Sequence, residues 1–427
     1  MNTQLKTIFV FLFLVCTLRG TAQNFSIDYP SYQNRNSDAL EISRIVRNDT
    51  ATILYMDAYS RPNYWIRLAS GLSLHGNQTG KNYPIIRSQG FELDKEVYMP
   101  ASGNVTFSLQ FAPLAPQEKM IDFIEGANKG DFQIKSISLN EQEKKGKIHC
   151  HISGKVIDSP QSSRLVLMKA HKNPSSSPWL SIPIRNGEFQ YDFYADHEEV
   201  YEVFIWNDML TGSWLPSLFF AENGPVSFTL YPASTRKPGL VSTSNPLTCE
   251  LQQLESERKA KFNFDSLYAQ MNKLYEENRF ESEALQTLWK RIEQVKDNNE
   301  ERNNIYRERD RLEESGEAYT EEGKALLVKI KQLNEEMNQW TIKHIKQNPS
   351  LPGLYVLTSK TEMARKGEDV TPFLNAYQET FASLYPEHPY GQQMQMLIKN
   401  GQPEIGKPYV DFSAPDLNGN KVQISKY

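Results

Sequence analysis

The residues with chemical potential fall in a few short groups. His149-Cys150-His151 sets two imidazoles and a thiol, all good zinc or copper ligands, side by side. Side chains alternate along a strand, so in extended chain the two histidines share one face and Cys150 takes the other, and the three do not converge on one ion. Ser256 and Lys259 have the Ser-x-x-Lys spacing of a serine nucleophile with a lysine partner, in a heavily charged segment without further catalytic motifs. Asp122 and Glu125, three apart on an extended segment, point to opposite faces and cannot work as a paired acid and base. Trp206, Trp214, Phe219 and Phe220 are either an aromatic platform for a sugar or peptide or the core residues that strands require. Cys16, Cys150 and Cys249 contain no Cys-x-x-Cys pair, which removes an all-cysteine zinc site and a local redox motif. Cys150 and Cys249 either pair, closing a loop of about 100 residues worth at most about 4.7 kcal/mol, or remain separate thiols. No catalytic, metal-binding or cofactor-binding residue is assigned, and no cofactor is expected.

These groups need elements to position them. From residue 23 to 140, short β-branched and aromatic runs (Thr50 to Met56, Tyr64 to Leu68, Val105 to Phe111, Met120 to Ile124, Asp131 to Ile137) are separated by Gly, Pro and Asn. Val105, Phe107, Leu109 and Phe111 alternate with polar residues, as a half-buried antiparallel strand does. This pattern predicts a β-sandwich. A polar stretch, Asn140 to Lys147, leads to a second β-rich region at 147–235. Its expected strands are Ile152 to Ile157, Arg164 to Lys169, Leu180 to Ile184, Glu188 to Phe193, Tyr201 to Trp206 and Val226 to Tyr231. Asn186-Gly187 is a strong type I′ hairpin signal, because both residues tolerate positive φ.

Between Pro246 and Pro349 there is no proline, and Glu, Lys, Gln, Leu and Arg dominate. Phe264, Leu267, Met271 and Leu274, then Leu285, Leu288, Ile292 and Val295, then Leu326, Ile330, Leu333, Met337 and Trp340 follow helical 3-4 spacing. A narrow apolar stripe with charged flanks predicts long helices packed as a hairpin or coiled coil, with turns at Asn298-Asn299, Gly316 and Gly323 and a dimer seam as the alternative use. Gly353 to Lys399 reads as shorter helices broken at Pro372 and around Pro386 to Pro389, which completes a helical region at 246–400.

The last segment, 401–427, runs Ile405-Gly406-Lys407-Pro408, Val410-Asp411-Phe412, Ala414-Pro415-Asp416-Leu417-Asn418-Gly419-Asn420 and Lys421-Val422-Gln423-Ile424. Physically it is a β-hairpin closed by Asn418-Gly419. As a pattern it resembles the opening of the thioredoxin-like domains of TlpA-type and peroxiredoxin-type (AhpC/TSA) thiol-disulfide proteins. The second β region, with Gly154, Asn186-Gly187-Glu188-Phe189 and Phe219-Phe220-Ala221-Glu222-Asn223-Gly224, is similar to the domain of unknown function that precedes such domains in bacterial envelope proteins. The resemblance implies a thiol-disulfide oxidoreductase, yet the sequence given stops at Tyr427, before any Trp-Cys-x-x-Cys, so no catalytic residue carries over.

At the other end, Lys6, the apolar run Ile8 to Leu18 and Gly20-Thr21-Ala22 read as a signal peptide, 1–22, cleaved after Ala22 and too short to span a bilayer. The 427 residues carry 47 Lys+Arg against 52 Asp+Glu and are 39% hydrophobic. That balance suits a multidomain globular chain and removes the electrostatic footprint of a nucleic-acid binder. The expected fold is multidomain α+β: two antiparallel β-sandwich domains, a coiled-coil-like helical region and the first hairpin of a truncated thioredoxin-like domain. The expected protein is an exported, periplasmic or outer-envelope associated, non-catalytic N-terminal part of such an oxidoreductase, and not an integral membrane protein. The alternative is an envelope scaffold whose β domains and helical hairpin recognise a protein or glycan partner.

Overall fold

The structure is a computed structural model that describes residues 25–128, 130–140, 146–159, 161–174, 179–295, 298–364, 368–400, 413–415 and 421–423. The expected signal peptide and the Asn418-Gly419 turn lie outside these residues. The fold is mixed α+β, with large, mainly antiparallel sheets followed by helices.

In the first region β1 (Phe25–Asp28), β2 (Asn34–Arg35), β3 (Leu40–Arg47), β4 (Thr52–Tyr59), β6 (Ser73–Gly76), β7 (Asn82–Gln89), β9 (Asn104–Phe111), β10 (Met120–Ile124) and β11 (Gln133–Ser138) form one sheet in the order β1-β3-β4-β9-β7-β6-β10-β11-β2. β5 (Trp65–Ile66) and β8 (Val97–Tyr98) make a separate ribbon. Phe107, Leu109 and Phe111 of β9 are buried as their alternation requires. Strands from both ends of the sheet, through Ile45, Leu54, Phe123 and Ile137, share one core, so the sheet curls upon itself. The register shift between Ile85 and Arg87 of β7 is a bulge of the kind that lets a sheet bend.

The second region holds two four-stranded sheets. One is β15 (Glu188–Ala195), β12 (Ile148–Val156), β18 (Gly224–Leu230) and β19 (Leu240–Ser242). The other is β14 (Leu180–Pro183), β13 (Arg164–Lys169), β16 (Val200–Ile205) and β17 (Ser217–Phe220). Ile152, Leu165, Leu167, Phe193, Val203, Phe219 and Val226 join both sheets in one core. β12 pairs with β18 in parallel, a departure from the all-antiparallel expectation. Parallel neighbours need a long crossover, and here the chain between them makes the whole opposite sheet before it returns. Trp206, expected at the end of a strand, instead opens the short helix α1 (Trp206–Leu210).

The Asn186-Gly187 turn forms with φ of 53° and 79°, as a type I′ turn requires. The ladder expected beyond it does not: only Arg185 and Glu188 pair, after which β14 and β15 diverge, one into each sheet. The alternating apolar faces of the two strands are better buried on opposite walls of one core than side by side.

The helices are α2 (Pro246–Lys261), α3 (Asp265–Glu276), α4 (Glu283–Gln294), α5 (Asn299–Ser315), α6 (Glu321–Gln347), α7 (Leu351–Glu362), α8 (Thr371–Thr380) and α9 (Pro389–Asn400). α3 packs on α6 and α4 on α5. The α3 stripe is half-buried at Leu267, Met271 and Leu274, and no α3 residue is fully buried. Asn298 caps α5 and Gly316, at φ 73°, ends it. Gly323 makes no turn: it lies in the first turn of α6, capped by Thr320, and a Cβ there would collide with the Phe280 carbonyl. Pro372 does not break a helix but sits in the first turn of α8, where its missing N–H costs nothing.

The helices are fastened to the second region. Val200 and Phe220 share a core with Leu354, Tyr355, Phe373 and Met394. The Glu222 carboxylate accepts the Leu247 and Thr248 amides at the start of α2, and the Val200 amide donates to the Tyr390 hydroxyl at 2.6 Å. β20 (Ser413–Pro415) and β21 (Lys421–Gln423) pair antiparallel. No described helix is long and apolar enough to cross a membrane.

Candidate functional site

The divergence of β14 and β15 leaves the second region open along one side, and the first region faces that opening. Between them lies a cleft of about 1300 Å³. Its floor is the margin of the second core, the buried Leu167 and Phe193 with the half-buried Leu180 and Tyr201. The facing wall is the segment from Ile27 to Gln33, the exit of β1, with Ser43, Tyr55, Asp57 and Tyr59 of β3 and β4. Tyr29 packs on Tyr191 across the two regions with ring centroids 4.3 Å apart. Tyrosines dominate the lining: Tyr29, Tyr32, Tyr55 and Tyr59 from the first region, and Tyr191, Tyr194 and Tyr201 from the second. Burial raises the hydroxyl pKa of Tyr29, Tyr32, Tyr59, Tyr191 and Tyr201 above the ordinary phenol value, so each is a neutral group able to donate and accept.

The charges around the cleft are committed to one another. Asp57, 1% exposed, accepts from Thr106 Oγ1 at 2.5 Å and from Arg185 Nη2 at 3.3 Å, which ties the first region to the second. Glu41 is paired with Arg35; burial lifts its carboxyl above the usual range against the pull of that guanidinium. Lys169 is paired with Glu199, and Lys172 with Glu362. Arg164, 1% exposed, lies over Trp206, Tyr59 and Trp179 at 4.1, 4.3 and 5.4 Å and donates to the Asp38 carbonyl at 2.8 Å. A delocalised guanidinium is suited to such a cage.

His149 and His151 share a face, as strand alternation requires, and both reach Asp192 Oδ1, at 2.8 and 3.0 Å. Burial raises the Asp192 carboxyl, but the hydrogen bonds from His151 and His149 outweigh it and hold the group below its usual range. Cys150 points the other way into the core, where burial pushes its thiol up to about 12. Cys249 is exposed on α2; the two thiols are free and separate. Among the described residues no group of three His, Cys, Asp or Glu side chains is placed to hold a metal ion.

The other candidates hold the fold. Asp122 accepts the Ser136 amide at 2.7 Å and holds the irregular stretch of β11, whereas Glu125 accepts the Ala69 and Phe132 amides at 2.7 and 2.8 Å and fixes two loops. Ser256 and Lys259 lie exposed on α2. The four aromatic residues part company: Phe219 belongs to the core between the sheets, Phe220 to the helical core, and Trp206 and Trp214 to a cluster with Phe204 on the outer face of β13 and β16. The cleft itself escapes sequence reading, because its two walls lie more than 100 residues apart along the chain. The alternating Tyr191 and Phe193 signal only a buried face.

No known family matches the chain, and no curated protein matches it. Among solved structures, the backbone protein of the group B streptococcus pilus 2b is similar at 9% identity over 39% of this chain and 83% of that one, with a TM-score of 0.10. A likeness that slight carries no argument about fold or function.

Proposed function

We propose that this chain is a non-catalytic binding region of an exported protein and that the tyrosine-lined cleft holds an extended segment of a chain-like partner. The cleft carries this reading. Its volume exceeds the roughly 300–1,000 Å³ of small-molecule sites, and its carboxylates and lysines are already paired, which suits a wall that positions a ligand more than one that moves protons. Tyrosine supplies large contact area at low entropic cost. In this reading the two β regions are the two sandwich domains, and the α3–α6 pair is a coiled-coil-like stalk. In the same reading residues 1–22 are an export signal and the β regions lie in the envelope. The paired β20 and β21 are compatible with the first hairpin of a thioredoxin-like domain of the kind the 405–427 motif resembles.

The test is a pair of cleft-filling variants, Ser43→Trp and Gln190→Trp, both at positions that line the cleft. The purified chain is screened against a displayed library of random linear decapeptides and against a glycan array. Ligands enriched on the natural chain should lose at least tenfold in affinity on each variant while both variants melt with the parent. Failure to enrich any ligand, or ligands indifferent to both substitutions, defeats the proposal.

A further inference from the structure

We infer that the occupant is a polypeptide in extended conformation, added as a further strand along the outer edge of β15. The inference rests on the binding reading above and narrows it to one ligand class. Five successive residues, Gln190 to Tyr194, line the cleft. Along a strand these alternate between faces: Tyr191 and Phe193 are buried in the core, whereas Gln190, Asp192 and Tyr194 turn outward. Side chains of both faces can border one cavity only where the strand is met edge-on, and an edge presents main-chain N–H and C=O groups.

β15 is the terminal strand of its sheet, and no described strand pairs along its outer side. Exposed edges are usually blunted by Pro, Lys or a bulge. The sequence of β15, EFQYDFYA, contains no Pro or Lys; Glu188 lies at its first residue, the central Asp192 is engaged by His149 and His151 on the outer face, and its eight-residue register with β12 runs without a shift. The edge is screened instead by the first region standing across the cleft, with room between. A strand added there would send alternate side chains toward the apolar floor at Leu180 and Tyr201 and toward the polar face at His149 and Asp192. Main-chain bonds would supply affinity and the two faces the selectivity, the mode by which peptides extend a sheet. A glycan has no donors and acceptors at strand spacing and would leave the edge unpaired.

The probe is the decapeptide that binds best in the library screen, resynthesised with each amide N-methylated in turn, so that the protein is never altered. Methylation should weaken binding at least tenfold at alternate positions and less than about twofold between them. Hydrogen exchange should slow at every second amide of β15 when the parent peptide is bound. Binding that the cleft-filling variants abolish but that shows no two-residue periodicity overturns strand addition and leaves the cleft reading standing. Enrichment of glycans alone does the same. Absence of any cleft-dependent ligand overturns both.

Discussion

Glu202 on β16 is 5% exposed, and burial, opposed by a hydrogen bond from the His171 amide, raises its carboxyl from the ordinary 4.5 to about 7. It lies where the second sheet meets the helices, near the His171 ring that bonds the Tyr355 hydroxyl at 2.8 Å and near the Lys172–Glu362 pair. The folded chain therefore holds this proton more tightly than the unfolded chain does. The stabilisation is fully present below about pH 4.5, falls as pH rises toward 7, and is gone above it. The interval corresponds to about 3 kcal/mol at roughly 1.4 kcal/mol per pH unit. Glu202→Gln keeps the shape and removes the titration. Any constant cost of a buried amide cancels when variant and parent are compared at two pH values, and so do titrations common to both, including that of His171. The stability of the variant relative to the parent should rise by about 3 kcal/mol between pH 4.5 and pH 8, or several degrees of melting temperature at about 2 °C per kcal/mol. Urea unfolding of both proteins at the two pH values measures it. A difference that stays constant with pH, or that moves against the variant at pH 8, would refute the assignment of a buried, proton-holding carboxyl.

Two further outcomes are expected. Arg164→Met removes the cation caged by Tyr59, Trp179 and Trp206 and its bonds to Asp38, while the half-exposed Asp38 carboxylate returns to water. The loss should be about 2–4 kcal/mol in denaturant unfolding, and a loss under about 0.5 kcal/mol would show that the cage is not a fastening between the two β regions. A maleimide added to the chain from residue 23 onward, without reductant, should take up one equivalent at Cys249 in the native state. It should take up a second at Cys150 only on unfolding, because that thiol is buried and held up to about 12; failure to label either would mean that the two are joined.

How much of this was legible in the sequence depended on whether a signal was local. β9, β10 and β13 lie where alternation or β-branched runs put them, since period-two burial is written into successive residues. The Asn186-Gly187 turn was equally legible because its dihedral demand is met by two residues alone. What it connects was not, since pairing within one sheet and divergence into two leave the same alternating pattern. Gly323 misled because a glycine needed for close approach to Phe280 looks, in sequence, like a glycine needed for a turn. Helix ends at Phe262 and Asn278 went unnoticed amid uniformly helix-forming composition. Of the site, the face shared by His149 and His151 was legible from strand periodicity. Their meeting at Asp192 depends on the register of β12 with β15, and the cleft depends on which surface the first region presents to the second.

One turn feeding two sheets also bears on how the chain avoids misfolding. In an ordinary hairpin a slip of one residue can be shared by the two strands and leave a ribbon that still pairs. Here Leu180 and Ile182 lie on one wall and Phe189, Tyr191 and Phe193 on the other, all measured from Asn186-Gly187. A slip at the turn would put one wall's apolar row to water without any compensating ladder between the strands. The two sheets therefore proofread each other, and partly registered forms of this region should be too poor in buried surface to accumulate.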